Sequence, residues 1–190
     1  LDFPNVTLVG VVAADLTLNL PDYRAQERTF QLITQVAGRA GRADAPGEVI
    51  VQSYKPEHPC IVAASRQDYR AFFTQELERR RTGLYPPFTM IARLLVESEN
   101  REAAEAFNGR LYDTVDAFLK AHPAQKRRVL MLRADEAPVV KLRGKYRYHV
   151  LLKVFEHADA RPVLTLLSEL AAVGDPQCQV YAEFNPATLI

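Results

Sequence analysis

Residues 128–155 read RVLMLRADEAPVVKLRGKYRYHVLLKVF, and the fold turns on whether this stretch is helical or a pair of strands. From 145 onward the two parities differ: Tyr146, Tyr148, Val150 and Leu152 on one, Lys145, Arg147, His149 and Lys153 on the other. A period of two belongs to a strand over 146–155, since alternate side chains leave opposite faces. RVLML (128–132) is a second apolar run, and Gly144 permits the tight turn that makes the two a hairpin.

The flanks complete the pattern. MIARLLVES (90–98) reads as a strand, 101–121 as a long amphipathic helix ended by Pro123, PVLTLLSELAAV (162–173) as a helix stopped by Gly174, and QVYAEF (179–184) as a strand. The order βαββαβ is that of a ferredoxin-like sandwich. Tyr146 and Tyr148 share their face with aliphatics and are expected in the core rather than stacked on bases.

Upstream, the valine-rich VTLVGVVAAD (6–15) and GEVIVQSY (47–54) are expected to be strands buried on both faces of a parallel sheet. Between them LTLNLPD is a polar loop, and Asp22 caps a helix over about 23–38 in which Phe30, Ile33, Val36 and Ala37 recur at helical spacing. CIVAAS and DYRAFFTQELERRRTG (68–83) are helical, with Asp68 as cap and Arg79, Arg80 and Arg81 offsetting the dipole of the last turn. YPPF (85–88) cannot continue a helix and divides the chain into domains 1–84 and 85–190. The fold class is α/β.

With 190 residues, 48% apolar and 25% charged, this is an ordinary globular composition, and no apolar run reaches the roughly 18 residues of a spanning helix. The net charge of +1 hides an uneven distribution, because residues 126–153 hold nine basic side chains and only Asp135 and Glu136 against them. Such a patch faces a polyanion. Cys60 and Cys178 have no partner spacing, which suits a reducing compartment. HPC (58–60) offers two ligands where a structural zinc takes four, so no metal is expected there. Because the sequence starts at Leu1, a piece of a longer protein is expected.

QVAGRAGR (35–42) sets Arg39 and Arg42 three residues apart among the smallest residues, where a guanidinium fork can approach an anion closely. DYRAQERTFQLITQVAGRAGR, with DFPNVTLVG and AADLTL before it and GEVIVQSYKPEHP, YPPF and LRGKYRYHVLLK after it, closely resembles the PriA family of bacterial replication restart helicases, including the Q-x-x-G-R-x-G-R motif of superfamily 2. The resemblance covers essentially the whole chain. It implies the end of a RecA-like lobe followed by a ferredoxin-like DNA-binding domain. It further implies Arg39 and Arg42 as catalytic residues and Gln35, Gly38 and Asp15 as cofactor-binding ones, facing ATP and magnesium on a first lobe outside this chain. Such an arginine stabilises the transition-state charge of phosphoryl transfer.

No G-x-x-x-x-G-K-[ST] occurs, so hydrolysis by this chain alone is not expected. VLMLRADEAP mimics an acidic box, but it lies on the wrong side of the arginine motif and reads as a solvated turn. Lys141, Arg143, Lys145, Arg147 and Lys153 are the expected nucleic-acid-binding residues, a row of cations able to track a phosphate backbone. The resemblance implies forked and single-stranded DNA, single-stranded DNA-binding protein and other primosome proteins as partners. It also implies 3′-to-5′ unwinding, loading of the replicative helicase, a cytoplasmic, nucleoid-associated monomer, and zinc in a segment absent here. Two departures stand out: Ala13 replaces a usual aspartate, and RADEAP (133–138) replaces a Gly-Pro-rich turn. Ala13 motivates the alternative of a non-catalytic member that binds forks and recruits partners. A weaker alternative is a domain that binds RNA or protein.

Overall fold

The computed structural model describes residues 6–38 and 47–189. Contacts divide the chain into two units, Leu1–Thr82 and Gly83–Ile190.

In the first unit, β1 (Leu8–Val11) pairs in parallel with β2 (Glu48–Val51), between them α1 (Ala14–Leu18) and α2 (Ala25–Ala37), followed by α3 (Pro59–Ser65) and α4 (Tyr69–Thr82). Its core gathers Val11, Phe30, Ile33, Ile61 and Phe72, with the Phe30 and Phe72 rings stacked at 4.3 Å. The expectation of strands buried on both faces is corrected here: Leu8 is 57% and Ile50 54% exposed. Two described strands cannot cover one another's faces, so apolar composition did not translate into burial.

LTLNLPD is also corrected, since α1 takes in Ala14–Leu18. It enters through Ala13 at φ 53°, in the left-handed region, with no side-chain cap, so no local signal announces it. Asp22 accepts from the backbone N–H of Arg24 at 2.9 Å at the entry to α2.

The second unit runs β3 (Met90–Ser98), α5 (Arg101–Ala121), a short α6 (Pro123–Lys126), β4 (Val129–Leu142), β5 (Lys145–Val154), α7 (Arg161–Val173) and β6 (Gln179–Phe184). The sheet order is β4-β5-β3-β6 and every pairing is antiparallel. This is the split βαβ arrangement, with the hairpin partner β5 inserted beside β3.

Asn100 caps α5 by accepting from the Ala103 N–H at 3.1 Å, and α7 ends at Gly174 with φ 64°. Leu94, Val96, Val150, Leu152 and Val154 from the sheet meet Leu111, Val115, Val163 and Leu167 from the helices. Tyr148 lies in this core and Tyr146 packs against it.

Strand β4 continues to Leu142, well past the apolar run visible in sequence. Asp135 lies opposite His149 and Glu136 opposite Tyr148, so both sit in a strand rather than in a solvated turn. A register shift follows, in which residues 137–140 bulge before Lys141 pairs with Tyr146 and Leu142 with Lys145.

Candidate nucleic-acid interface

Strand alternation puts Arg147, His149, Leu151 and Lys153 on the face of the sheet away from the helical core, beside Arg93, Leu95 and Glu97 of β3. The expectation of an open row of cations there is corrected. Arg147 is 5%, His149 4% and Arg93 2% exposed.

Arg93, Arg147 and Lys153 each have a protein partner, whereas the buried Nδ1 of His149 has none. Arg93 donates to Glu183 at 2.6 Å and to the Leu189 carbonyl at 3.0 Å. Arg147 lies 3.3 Å from Glu97, and its Nη1 donates weakly to the Val139 carbonyl at 3.5 Å. The Arg147 Nε–H is not aligned with the Glu97 carboxylate, so that contact is Coulombic rather than a hydrogen bond. Lys153 donates to the Gly83 carbonyl at 2.9 Å and stands 4.1 Å from the Tyr85 ring centre. Burial lowers the pKa of its ammonium. His149 is pushed down to about 4, first by burial and then by the Arg93 charge.

The hairpin apex behaves differently. Lys141, Leu142, Arg143 and Gly144 are all exposed, and Lys145 is half-buried. Lys141 sits 4.4 Å from the Tyr146 ring centre and donates to its hydroxyl at 3.3 Å; Lys145 donates to the Gln179 side-chain carbonyl at 2.6 Å. These partners are neutral. They fix the ammonium groups without cancelling their charge, and among the described residues no carboxylate pairs with Lys141, Arg143 or Lys145.

Elsewhere in the same unit several arginines are neutralised, although Arg127 and Arg161 have no carboxylate partner among the described residues. Arg101 meets Glu136 at 2.7 Å, Arg110 meets Asp175 at 2.9 Å, and Arg133 pairs with Asp135, whose carboxyl it holds below the usual range. The turn itself places Arg143 at φ 49° and Gly144 at φ 86°, the two positive values of a type I′ hairpin.

Arg39 and Arg42 lie outside the described residues. Gln35 is exposed in the last turn of α2 and Gly38 is its C-cap. Asp15 is 7% exposed, and its carboxylate accepts from Ser53 Oγ at 3.0 Å and the Tyr54 N–H at 2.8 Å, which lowers its pKa. Its oxygens tie α1 to the end of β2. By themselves the described residues thus do not fit a nucleotide and its magnesium.

His58 is a helix cap, accepting at Nδ1 from the Cys60 N–H at 3.2 Å, and no cluster of three potential metal ligands occurs among the described residues. The arginines ending α4 do more than face a dipole: Glu76, 6% exposed, joins Arg79 and Arg80 at 2.7 Å each, and Arg80 continues to Glu27 at 2.7 Å. The Glu76 pairs are i,i+3 and i,i+4 neighbours on α4, but Glu27 lies far upstream on α2, so helical periodicity gave no sign of that link.

A sequence model described as the primosomal protein N C-terminal domain matches residues 81–187, which takes in all four strands of the ferredoxin-like sheet. The chain belongs to this family. It is 40% identical over 169 residues to the replication restart protein PriA of Bacillus subtilis, covering 89% of this chain and 20% of that relative. The PriA of Rickettsia typhi is 36% identical over 186 residues, 98% of this chain and 27% of the relative. That of Chlamydia pneumoniae is 50% identical over 95 residues, 50% and 13% respectively. The chain therefore spans about a fifth to a quarter of the length of the first two. The un-neutralised apex lies inside the part matched to the primosomal protein N C-terminal domain.

Proposed function

We propose that this chain is part of a PriA-like replication restart protein, and that its ferredoxin-like domain binds DNA through the β4–β5 apex. The observation that carries the reading is the contrast in charge compensation. Cations on the sheet are matched by carboxylates or carbonyls, whereas Lys141 and Lys145 are held in position by neutral groups and Arg143 stands exposed at the turn. Fixed, uncompensated cations attract phosphates without reading sequence.

By family membership the longer protein acts on stalled or repaired forks, couples ATP hydrolysis to 3′-to-5′ unwinding and loads the replicative helicase in the bacterial cytoplasm. In this reading Arg39 and Arg42 complete an ATP site begun on another lobe, and single-stranded DNA-binding protein and primosome proteins are partners. No described helix is long and apolar enough to cross a membrane.

Competition between forked DNA and structured RNA for the 190-residue chain, at two salt concentrations, tests the binding. Three phosphate contacts predict that log K falls against log salt with a slope of about −2 to −3. Replacing Lys141, Arg143 and Lys145 together by alanine should remove most of that slope. An unchanged slope would exclude the apex, and preference for RNA would replace the DNA reading. In a protein carrying both lobes, Arg42→Ala should abolish DNA-stimulated ATP hydrolysis and leave fork affinity intact; unchanged turnover would remove Arg42 from catalysis.

A further inference from the structure

The apex carries an apolar side chain that the DNA reading does not use. Leu142 is 48% exposed, stands between the exposed Lys141 and Arg143, and pairs across the strands with Lys145. β4 is an edge strand, so this leucine sits at a corner of the sheet, and among the described residues no further strand flanks it on the outer side.

The turn beside it is costly as built. Arg143 occupies a left-handed position at φ 49° that glycine or asparagine adopts more easily. An arginine kept there places its charge next to Leu142 at the outermost point of the hairpin. A backbone outlier at an exposed, charged tip points to a contact made by the tip.

The chemistry of the tip selects among nucleic-acid shapes. Single strands are held on aromatic platforms, but the Tyr146 ring is half-buried against the core and its open side is occupied by the Lys141 ammonium. An aliphatic wedge flanked by cations instead suits a stacked base pair with backbones on either side. We infer that the apex reads the junction of a DNA duplex with diverging strands: Leu142 packs against the last base pair, while Lys141, Arg143 and Lys145 hold the phosphates around it. This rests on the DNA reading proposed above.

The test uses the 190-residue chain with a fork carrying 2-aminopurine in the base pair at the branch, and a blunt duplex carrying the same base internally. The wild-type chain should raise the fluorescence of the fork and leave that of the duplex unchanged. Leu142→Ala should lose the rise and about tenfold in fork affinity, the worth of one buried leucine against alanine. It should keep duplex affinity and the thermal midpoint, and Leu142→Met should restore the signal. If Leu142→Ala binds and perturbs the fork as the wild type does, the wedge is overturned while DNA binding stands. If neither the wild-type chain nor its variants bind DNA in a salt-dependent way, both readings fall.

Discussion

The root of the hairpin and its apex are built from the same residue types and end up in opposite states. Arg147 and Lys153 on the body of β5 lie on a sheet face covered by segments 83–85, 137–140 and 185–189, which supply carbonyls and a ring as partners. Lys141, Arg143 and Lys145, only a few residues away, keep their charge uncompensated. A charge inside the domain has to be matched, because desolvation leaves an unpaired ion several kcal/mol above a paired one. At the corner of the sheet water provides that solvation, and the charge stays free for a ligand. Cationic composition alone therefore does not locate a binding surface.

Truncating one arginine from each group should have the most unequal effects. Arg147→Ala leaves Glu97 without its cation and should cost about 3 kcal/mol, whereas Arg143→Ala should stay within about 0.5 kcal/mol. Urea unfolding of the two variants checks it, and equal losses would erase the distinction between root and apex.

A second effect concerns His149, which is buried beside Arg147 in the root. Its folded-state pKa is about 4, below the ordinary 6.5, so between these values the unfolded chain binds more protons than the folded one. Its contribution is fully present above pH 6.5 and is lost as pH falls toward 4. The total loss is on the order of 3 to 4 kcal/mol at most, since one pKa unit corresponds to roughly 1.4 kcal/mol. His149→Gln should flatten that limb of the stability profile; an unaltered profile would show that other groups produce it.

The smallest effect is also the most informative about the apex. Arg143→Asn gives the type I′ turn a residue that suits it and should stabilise the chain by about 0.5 to 1 kcal/mol while weakening DNA binding. A variant that gains stability and keeps its affinity would show that the strained arginine does not serve the ligand.

Much of the second unit was legible because its signals are local. The strands Met90–Ser98 and Gln179–Phe184 and the helix Arg101–Ala121 follow from periodicity, capping and a following proline. The first unit was less so. There α1 is tied in place by Asp15 accepting from Ser53 and Tyr54, contacts 38 and 39 residues away.

For the candidate interface the sequence marked five cations of one parity, which could not separate Lys141, Arg143 and Lys145 from Arg147 and Lys153. It could not show that Glu97, on a strand far upstream, would lie opposite Arg147, nor that the bulge at 137–140 would bring the Val139 carbonyl over that arginine. The sequence by itself determined the element order, the alternation and the cationic excess, because these are set by nearest neighbours along the chain. Only the tertiary structure decided which cations remain available, since desolvation and pairing depend on strands brought together from distant positions.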